Sequence, residues 1–350
     1  MKAALWHGRG DVRIENVPEP TPKAGEVKIA VKWCGICGTD VGEFLNGPVL
    51  IKNPPVILGH EYSGEIVAWG EGVQGFRKGD RVTAMNVRSC GQCANCKVRS
   101  SMALGKKMEL CENMDTTGLT STAPGAFAEF LCIPDYLAVK FDDALSWEEG
   151  TMINPLSIGI HAIKRGNLRL GETAVIIGDG TIGQLALQAC IACGTRAAFL
   201  VGEQPLRLEL ARRGGAHGVF HYQEKNLKEE IRELLGGRLP EVTFDCVGSE
   251  TSLQTALSLA AKGGRVLLVG IYERPCRVDC KNIVVQEKTL LGVLSQDYED
   301  YFIGNALLSQ KKVASTPLIT KKISLKDLVD GGIKELIANR KEQLRILVHP

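Results

Sequence analysis

Six residues, Gly178-Asp179-Gly180-Thr181-Ile182-Gly183, constrain the architecture of this chain more than any others. They follow the apolar run Thr173–Ile177, which reads as a strand, and precede an amphipathic stretch from about Ile182 to Cys193, which reads as a helix. Glycine-rich turns also close ordinary strand–helix corners, but a G-x-G-x-x-G spacing between a strand and a helix builds an anion seat at the helix N-terminus. Gly178 allows the tight turn, Gly180 lets backbone N–H groups approach a pyrophosphate, and Gly183 lets the helix pack on the sheet. Thr181 and Ile182 complete the expected cradle.

The same pattern continues from about 153 to 290. Further strands are expected at Ala197–Val201, Val242–Asp245 and Arg265–Val269, and helices near Leu206–Arg213 and Ser252–Lys262. Strands alternating with helices predict a doubly wound parallel sheet. Residues 1–152 read differently: short β-rich runs such as Val27–Val31 and Glu65–Ala68, punctuated by glycine and proline, predict an irregular β domain without helical periodicity. Residues 291–350 return to a mixed pattern and are expected to fold back onto the first domain. The fold class is therefore α/β plus β, with two domains and a cleft expected between them, because 350 residues exceed what one core usually serves.

Charge excludes some partners. Lys plus Arg is 42 and Asp plus Glu is 40, and no basic run forms a track for a phosphate backbone, so nucleic acid is not expected. The N-terminus meets Gly, Arg and Asp too early for a signal peptide, and no apolar run is long enough to span a bilayer, so a cytoplasmic protein is expected. Four of the twelve cysteines lie between Cys90 and Cys111, which favours metal thiolates over disulfides.

At the end of the second strand of the α/β region, where an acid would bind ribose hydroxyls, the chain has Gly202 followed by Glu203. Glu203 would repel a 2′-phosphate, which favours NAD; NADP stays open because Arg207 or Tyr222 could reach a phosphate. The strand end Asp245-Cys246-Val247-Gly248 lies at the edge where cofactor binds, and the Val247 backbone is expected to touch the nicotinamide ribose. Cys246 is not expected to act as a catalytic thiol.

Two clusters carry metal chemistry. Cys37 and Asp40 are followed by His60-Glu61, and a thiolate, an imidazole and a carboxylate together suit Zn²⁺. Cys90-x-x-Cys93-x-x-Cys96 and Cys111 read as a closed four-thiolate structural zinc site within a lobe at about 88–115. The stretch His60-Glu61-x-x-Gly64 with Gly70 and Val73 resembles the signature of zinc-containing medium-chain alcohol dehydrogenases. The resemblance covers nearly the whole chain and is nearest to the butanediol and sorbitol dehydrogenase branch.

That resemblance implies a GroES-like catalytic domain, a Rossmann domain, a catalytic and a structural zinc, and a nicotinamide cofactor. It implies Cys37 and His60 as zinc ligands, Glu61 as ligand or close partner, Asp40 as the group that orients His60, and Thr39 as proton relay. Asn154 stands where the family usually has Cys, Asp or Glu, and Gly42 where relatives often carry a relay histidine, so proton release would use water or another group such as Glu43. Fourteen residues separate Cys96 from Cys111, more than the family's usual spacing; with Lys97, Arg99, Lys106 and Lys107 they are expected to form a solvated bulge. Cys34 reads as a packed thiol, and His161, His7, His217, His221 and His349 are not promoted as ligands.

The expected chemistry is hydride transfer between a secondary alcohol, such as a polyol, diol, cyclitol or amino alcohol, and the nicotinamide, in a homodimer or homotetramer. Two rivals are a zinc-free quinone or alkene reductase of the same fold and a non-catalytic nucleotide- or metal-binding protein.

Overall fold

A computed structural model describes residues 1–96 and 110–350. The chain forms two compact units, one of residues 1–154, 297–309 and 319–350, the other of residues 155–296 and 310–318.

In the first unit, β1 (Lys2–Gly8) pairs antiparallel with β2 (Asp11–Asn16) and β4 (Val56–Ile57). The larger sheet centres on β3 (Glu26–Gly35), whose burial alternates along the strand as one face packs inward. Around β3 lie β5 (Tyr62–Trp69), β6 (Arg81–Ala84), β9 (Phe130–Pro134) and β10 (Ala138–Lys140), and the short β7 (Val87–Arg88) and β8 (Asp115–Thr116) pair separately.

A helix at Gly38–Asn46 lies in this half, where no helical periodicity is legible in the sequence. Its glycines lower intrinsic helicity, and its start is fixed by a side chain: Asp40 Oδ2 accepts a hydrogen bond from the Cys37 N–H at 2.9 Å. A second helix, Trp147–Arg165, runs through the boundary between the units.

The second unit is a six-stranded parallel sheet in the spatial order Gly218–His221, Ala197–Gly202, Thr173–Ile177, Val242–Asp245, Arg265–Leu268, Thr289–Gly292. The strands are β11 (Thr173–Ile177), β12 (Ala197–Gly202), β13 (Gly218–His221), β14 (Val242–Asp245), β15 (Arg265–Leu268) and β16 (Thr289–Gly292). All residues of β11, β12 and β14 are buried, as expected for strands covered by helices on both faces. On one face Val175, Ile177, Phe199 and Val201 pack with Ile231 of the helix Leu227–Leu234 and with Leu253 and Leu257 of the helix Glu250–Leu259. Gly159 lets the helix Trp147–Arg165 approach the helix Thr181–Ala192: a Cβ there would stand 3.0 Å from Ala186 Cα.

The C-terminal segment does not all return to the first unit. Residues 291–296 and 310–318 stay with the second, where Gln188 clamps Ala314 by donating to its carbonyl at 3.2 Å and accepting from its N–H at 2.7 Å. The rest does return: β18 (Arg345–His349) pairs antiparallel with the end of β3 through Leu347–Gly35 and Val348–Cys34, and parallel with β17 (Ile319–Ser324). No helix among the described residues is long and apolar enough to cross a membrane.

Candidate metal centres and dinucleotide seat

The end of β3, the start of β5 and β18 meet at one place. Cys34 pairs with Tyr62 across β3 and β5, and the Gly35 N–H donates to the Glu61 carbonyl at 2.8 Å. On the other side Ile36 is held twice by β18, its N–H donating to Ile346 O at 3.0 Å and its carbonyl accepting from Arg345 Nη1 at 2.9 Å. Cys37 follows as the N-cap of the helix Gly38–Asn46, where the positive end of the helix dipole favours a thiolate.

Cys37, His60 and Glu61 place their ligand atoms within 4.8 Å of one another. His60 Nε2 lies 4.0 Å from Glu61 Oε1, and His60 Nδ1 lies 3.9 Å from Asp40 Oδ1. That second distance is an electrostatic contact and not a hydrogen bond, so Asp40 faces His60 while its other oxygen holds the Cys37 N–H. Burial lowers the His60 pKa, which keeps the imidazole neutral, the form in which it binds a metal. Burial, and after it the Asp40 charge, raises the Cys37 thiol, a cost that a bound cation removes.

These residues fit a zinc ion. Asp40 Oδ1, His60 Nδ1 and Asn154 Oδ1 are all buried without hydrogen-bond partners, a concentration of orphaned polar atoms that folded proteins rarely leave uncompensated. The Glu61 carboxylate forms an ion pair with the fully enclosed Arg345, a residue that the sequence reading missed because it lies at the far end of the chain. Glycine is required at 35 to admit it: a Cβ there would stand 2.1 Å from Arg345 Nη2.

Thr39 Oγ1 is 3.7 Å from Cys37 Sγ. Asn154 Nδ2 donates to Tyr301 OH at 2.6 Å, and the Tyr301 hydroxyl spends its one proton on the Ala84 carbonyl at 3.0 Å. The hydroxyl can therefore only accept from Asn154, which fixes the orientation of the amide and leaves Oδ1 without a partner. Tyr301 was also missed in the sequence.

Glu43 does not serve as a proton carrier. It is buried, and its carboxylate accepts from the backbone N–H groups of Val49, Leu50 and Ile51, so it anchors the loop that follows the helix. Cys34 is a packed thiol whose sulfur lies 2.8 Å from where a Gly59 Cβ would stand.

The second cluster brings Cys90, Cys93, Cys96 and Cys111 within 4.8 Å of one another. Cys93 Sγ lies 3.4 Å from Cys96 Sγ and 4.0 Å from Cys111 Sγ. Four sulfurs about 2.3 Å from a tetrahedral zinc would be ~3.8 Å apart, so the spacing fits. Backbone N–H groups of Gln92 and Cys93 point at Cys90 Sγ at 3.5 and 3.4 Å and pull its pKa down to about 6. The expected basic bulge with Lys97, Arg99, Lys106 and Lys107 lies outside the described residues.

In the second unit the glycine turn sits between β11 and the helix Thr181–Ala192, with Gly180 as N-cap. Gly178 has φ of +113°, in the region that glycine alone adopts freely. At Gly183 a Cβ would lie 1.9 Å from the Gly178 carbonyl oxygen, whereas at Gly180 it would meet nothing within 4 Å. Tight packing behind an open front is the cradle that a pyrophosphate requires. Val247 is half exposed beside this turn, its N–H held by Asp245 Oδ1 at 2.9 Å and its Cγ2 2.9 Å from the site of a Gly178 Cβ. Burial raises the Cys246 thiol well above its ordinary range, so it stays protonated.

The end of β12 is filled from the glycine turn. Glu203 is exposed, and the carboxylate that reaches the end of β12 belongs to Asp179, with Arg207 Nη1 3.4 Å from its Oδ1. Gly202 lies against it.

A parallel sheet with a glycine turn at its central strand and a β unit carrying a thiol, an imidazole and a carboxylate together define a zinc- and nicotinamide-dependent dehydrogenase. Comparison agrees. The alcohol dehydrogenase GroES-like domain matches residues 23–143, and the zinc-binding dehydrogenase domain matches residues 181–310. The chain is 34% identical over 361 residues to (R,R)-butanediol dehydrogenase of Bacillus subtilis strain 168, covering all of both chains. It is 31% identical to sorbitol dehydrogenase of the same strain, covering all of this chain and 97% of that one.

The crystal structure of 2R,3R-butanediol dehydrogenase from Bacillus subtilis superimposes with a TM-score of 0.89 at 33% identity, covering 100% of this chain and 99% of that one. Two structures at 26% identity were solved with cofactor. One, a putative zinc-binding dehydrogenase of Sinorhizobium meliloti 1021, holds NADP (TM-score 0.89, 100% and 99% covered); the other, an alcohol dehydrogenase of E. coli CFT073, holds NADH (0.90, 100% and 99%). The chain belongs to the zinc-containing medium-chain alcohol dehydrogenases, in their polyol branch. It is a zinc-dependent alcohol or polyol oxidoreductase that uses a nicotinamide cofactor.

The four-cysteine cluster carries a prediction of its own. Cys93→Ser removes one zinc per chain, lowers the thermal midpoint by roughly 2–4 °C per kcal/mol of lost metal linkage, and leaves turnover at low temperature nearly unchanged. Metal analysis beside a melting curve and a rate at 20 °C checks all three.

Proposed function

We propose that this chain oxidises a secondary alcohol whose neighbouring carbon carries a second hydroxyl or an amine, with NAD as the hydride acceptor and zinc held by Cys37, His60 and Glu61. The observation that carries it is the convergence of a thiol, an imidazole and a carboxylate among buried polar atoms without partners. Zinc bound there supplies Lewis acidity to a substrate hydroxyl, and bound nicotinamide supplies the hydride acceptor.

The chain's own residues do the rest. Thr39 Oγ1, beside the Cys37 sulfur, accepts the hydroxyl proton and passes it to water, because Gly42 has no side chain to relay it and Glu43 is occupied by backbone amides. Asp40 fixes the Cys37 backbone and places a negative charge opposite His60 Nδ1. Asn154 offers a neutral, unpartnered oxygen in an orientation set by Tyr301. Gly178, Gly180, Thr181, Ile182 and Gly183 cradle the pyrophosphate, with Val247 beside them. Cys90, Cys93, Cys96 and Cys111 hold a second, structural zinc.

The substrate class rests on the relatives, named for butanediol and sorbitol, both of which carry adjacent hydroxyls. Four cysteines gathered at metal-ligand spacing, which bind metal only as reduced thiolates, support a cytoplasmic setting. A homodimer or homotetramer built through the parallel sheets is supported by β16 at the sheet edge and by the exposed Val284 and Val285 of the helix just before it.

The test is a substrate panel with NAD, comparing 2,3-butanediol, sorbitol, a cyclitol and threonine with 2-butanol and ethanol. Higher kcat/KM for at least one vicinally substituted alcohol than for both monofunctional alcohols supports the class; a preference for ethanol or 2-butanol sinks it.

A further inference from the structure

At the end of β12 the space above Gly202 is filled by a carboxylate that arrives from the glycine turn. Asp179 Oδ2 accepts from the N–H groups of Glu203 and Gln204, both at 2.8 Å, and Oδ1 lies 3.4 Å from Arg207 Nη1. Asp179 is largely enclosed, as is the Arg207 side chain. A Cβ on residue 202 would stand 2.6 Å from Asp179 Cβ and 2.8 Å from its Oδ2. An acid at 202 and Asp179 in its present place exclude each other, so the glycine is what admits the aspartate.

We propose that Asp179, and not Glu203, is the acid that faces the adenine ribose, and that it sets a preference for NAD over NADP. The proposal rests on the chain binding a nicotinamide dinucleotide. In a parallel sheet of this order the dinucleotide lies along the C-terminal edge, with its adenine ribose at the end of the strand next to the glycine turn. Here that strand is β12, and the carboxylate at its end is that of Asp179.

A 2′-phosphate at this place would need N–H groups at a helix start and a cation. Glu203 and Gln204 N–H, just ahead of the helix Pro205–Arg213, and the Arg207 guanidinium are those groups, and Asp179 holds all three. An arriving phosphate would meet a carboxylate in its own seat. A ribose 2′-hydroxyl, in contrast, can donate to that carboxylate, which has about four acceptor positions and so keeps one beyond these contacts.

The test is calorimetric titration of the zinc-loaded protein with NAD, NADP, 5′-AMP and adenosine 2′,5′-bisphosphate, which reads binding without turnover. The wild type binds NAD and 5′-AMP at least tenfold tighter than their 2′-phosphorylated counterparts. Asp179→Asn keeps the shape and an acceptor oxygen but removes the charge, and it shifts that ratio at least tenfold towards the phosphorylated ligands. Asp179→Ser shifts it in the same direction, so the result does not hang on one variant's folding.

Adding Arg207→Ala to Asp179→Asn removes the gain, and Glu203→Ala leaves the wild-type ratio unchanged. An unchanged ratio in both Asp179 variants, an equal shift in Glu203→Ala, or a wild type that prefers the 2′-phosphate overturns the proposal while leaving the dehydrogenase reading intact. A wild type that binds neither dinucleotide overturns both.

Discussion

Cys37→Ala is expected to lower kcat/KM for the best alcohol by at least ~10³-fold, because a metal's Lewis acidity is worth several kcal/mol and each ~1.4 kcal/mol is tenfold in rate. The loss should not come from unfolding. Cys37 is partly exposed, caps one short helix and fills no deep core position, so the thermal midpoint should stay within a few degrees of the wild type. The neighbouring sets predict the same independence: the four-cysteine cluster shares no residue with Cys37, His60 and Glu61. Steady-state kinetics beside a melting curve decides it. A Cys37→Ala protein that turns over within tenfold of the wild type would show that the thiolate, and with it the zinc it is proposed to hold, is not part of the chemistry.

The second large effect separates two glycines three positions apart. Gly183→Ala puts a Cβ 1.9 Å from the Gly178 carbonyl oxygen, a backbone atom that cannot swing aside, so the helix Thr181–Ala192 must move off β11. Overpacking of this kind costs about 1–3 kcal/mol, and the displaced N-terminus should weaken NAD binding by at least ~100-fold, or ~2.7 kcal/mol. At Gly180 a Cβ meets no protein atom within 4 Å, and its φ of −69° suits alanine. Gly180→Ala should therefore fold with wild-type stability and still lose dinucleotide affinity, because the methyl enters the open front of the cradle. Denaturant unfolding and NAD titration of both variants check the pair. Full NAD affinity in Gly180→Ala would remove the pyrophosphate from this turn.

The parallel sheet was legible because its central strands are buried on both faces. Ala174–Ile177 and Ala197–Val201 read as continuous apolar runs, and the order of strands and helices leaves few alternatives. The residues that converge at the candidate zinc site were legible because two pairs, Cys37 with Asp40 and His60 with Glu61, are local in sequence.

What was not legible is what distant segments supply. Arg345 reaches Glu61 from the last strand, and Tyr301 reaches Asn154 from a position 147 residues away. No periodicity marks either residue as part of a site. The helix Gly38–Asn46 was hidden by its glycines, since its first turn depends on the Asp40 side chain and not on propensity. Glu43 looked available for proton transfer only because a sequence does not show that three backbone amides already bind its carboxylate. A carboxylate at the end of β12 was sought in Glu203, and the one that the structure places there is that of Asp179, from the middle of the glycine turn, which local sequence order does not reveal.

The central claim is that one zinc sits on Cys37, His60 and Glu61 and is separate from the zinc of the four cysteines. Zinc counted per chain by plasma mass spectrometry, in protein purified without chelators, tests it directly when wild type and Cys37→Ala are prepared side by side. The account predicts two zincs per chain in the wild type and one in Cys37→Ala. One zinc in the wild type that survives the substitution would leave only the four-cysteine cluster filled and contradict the account.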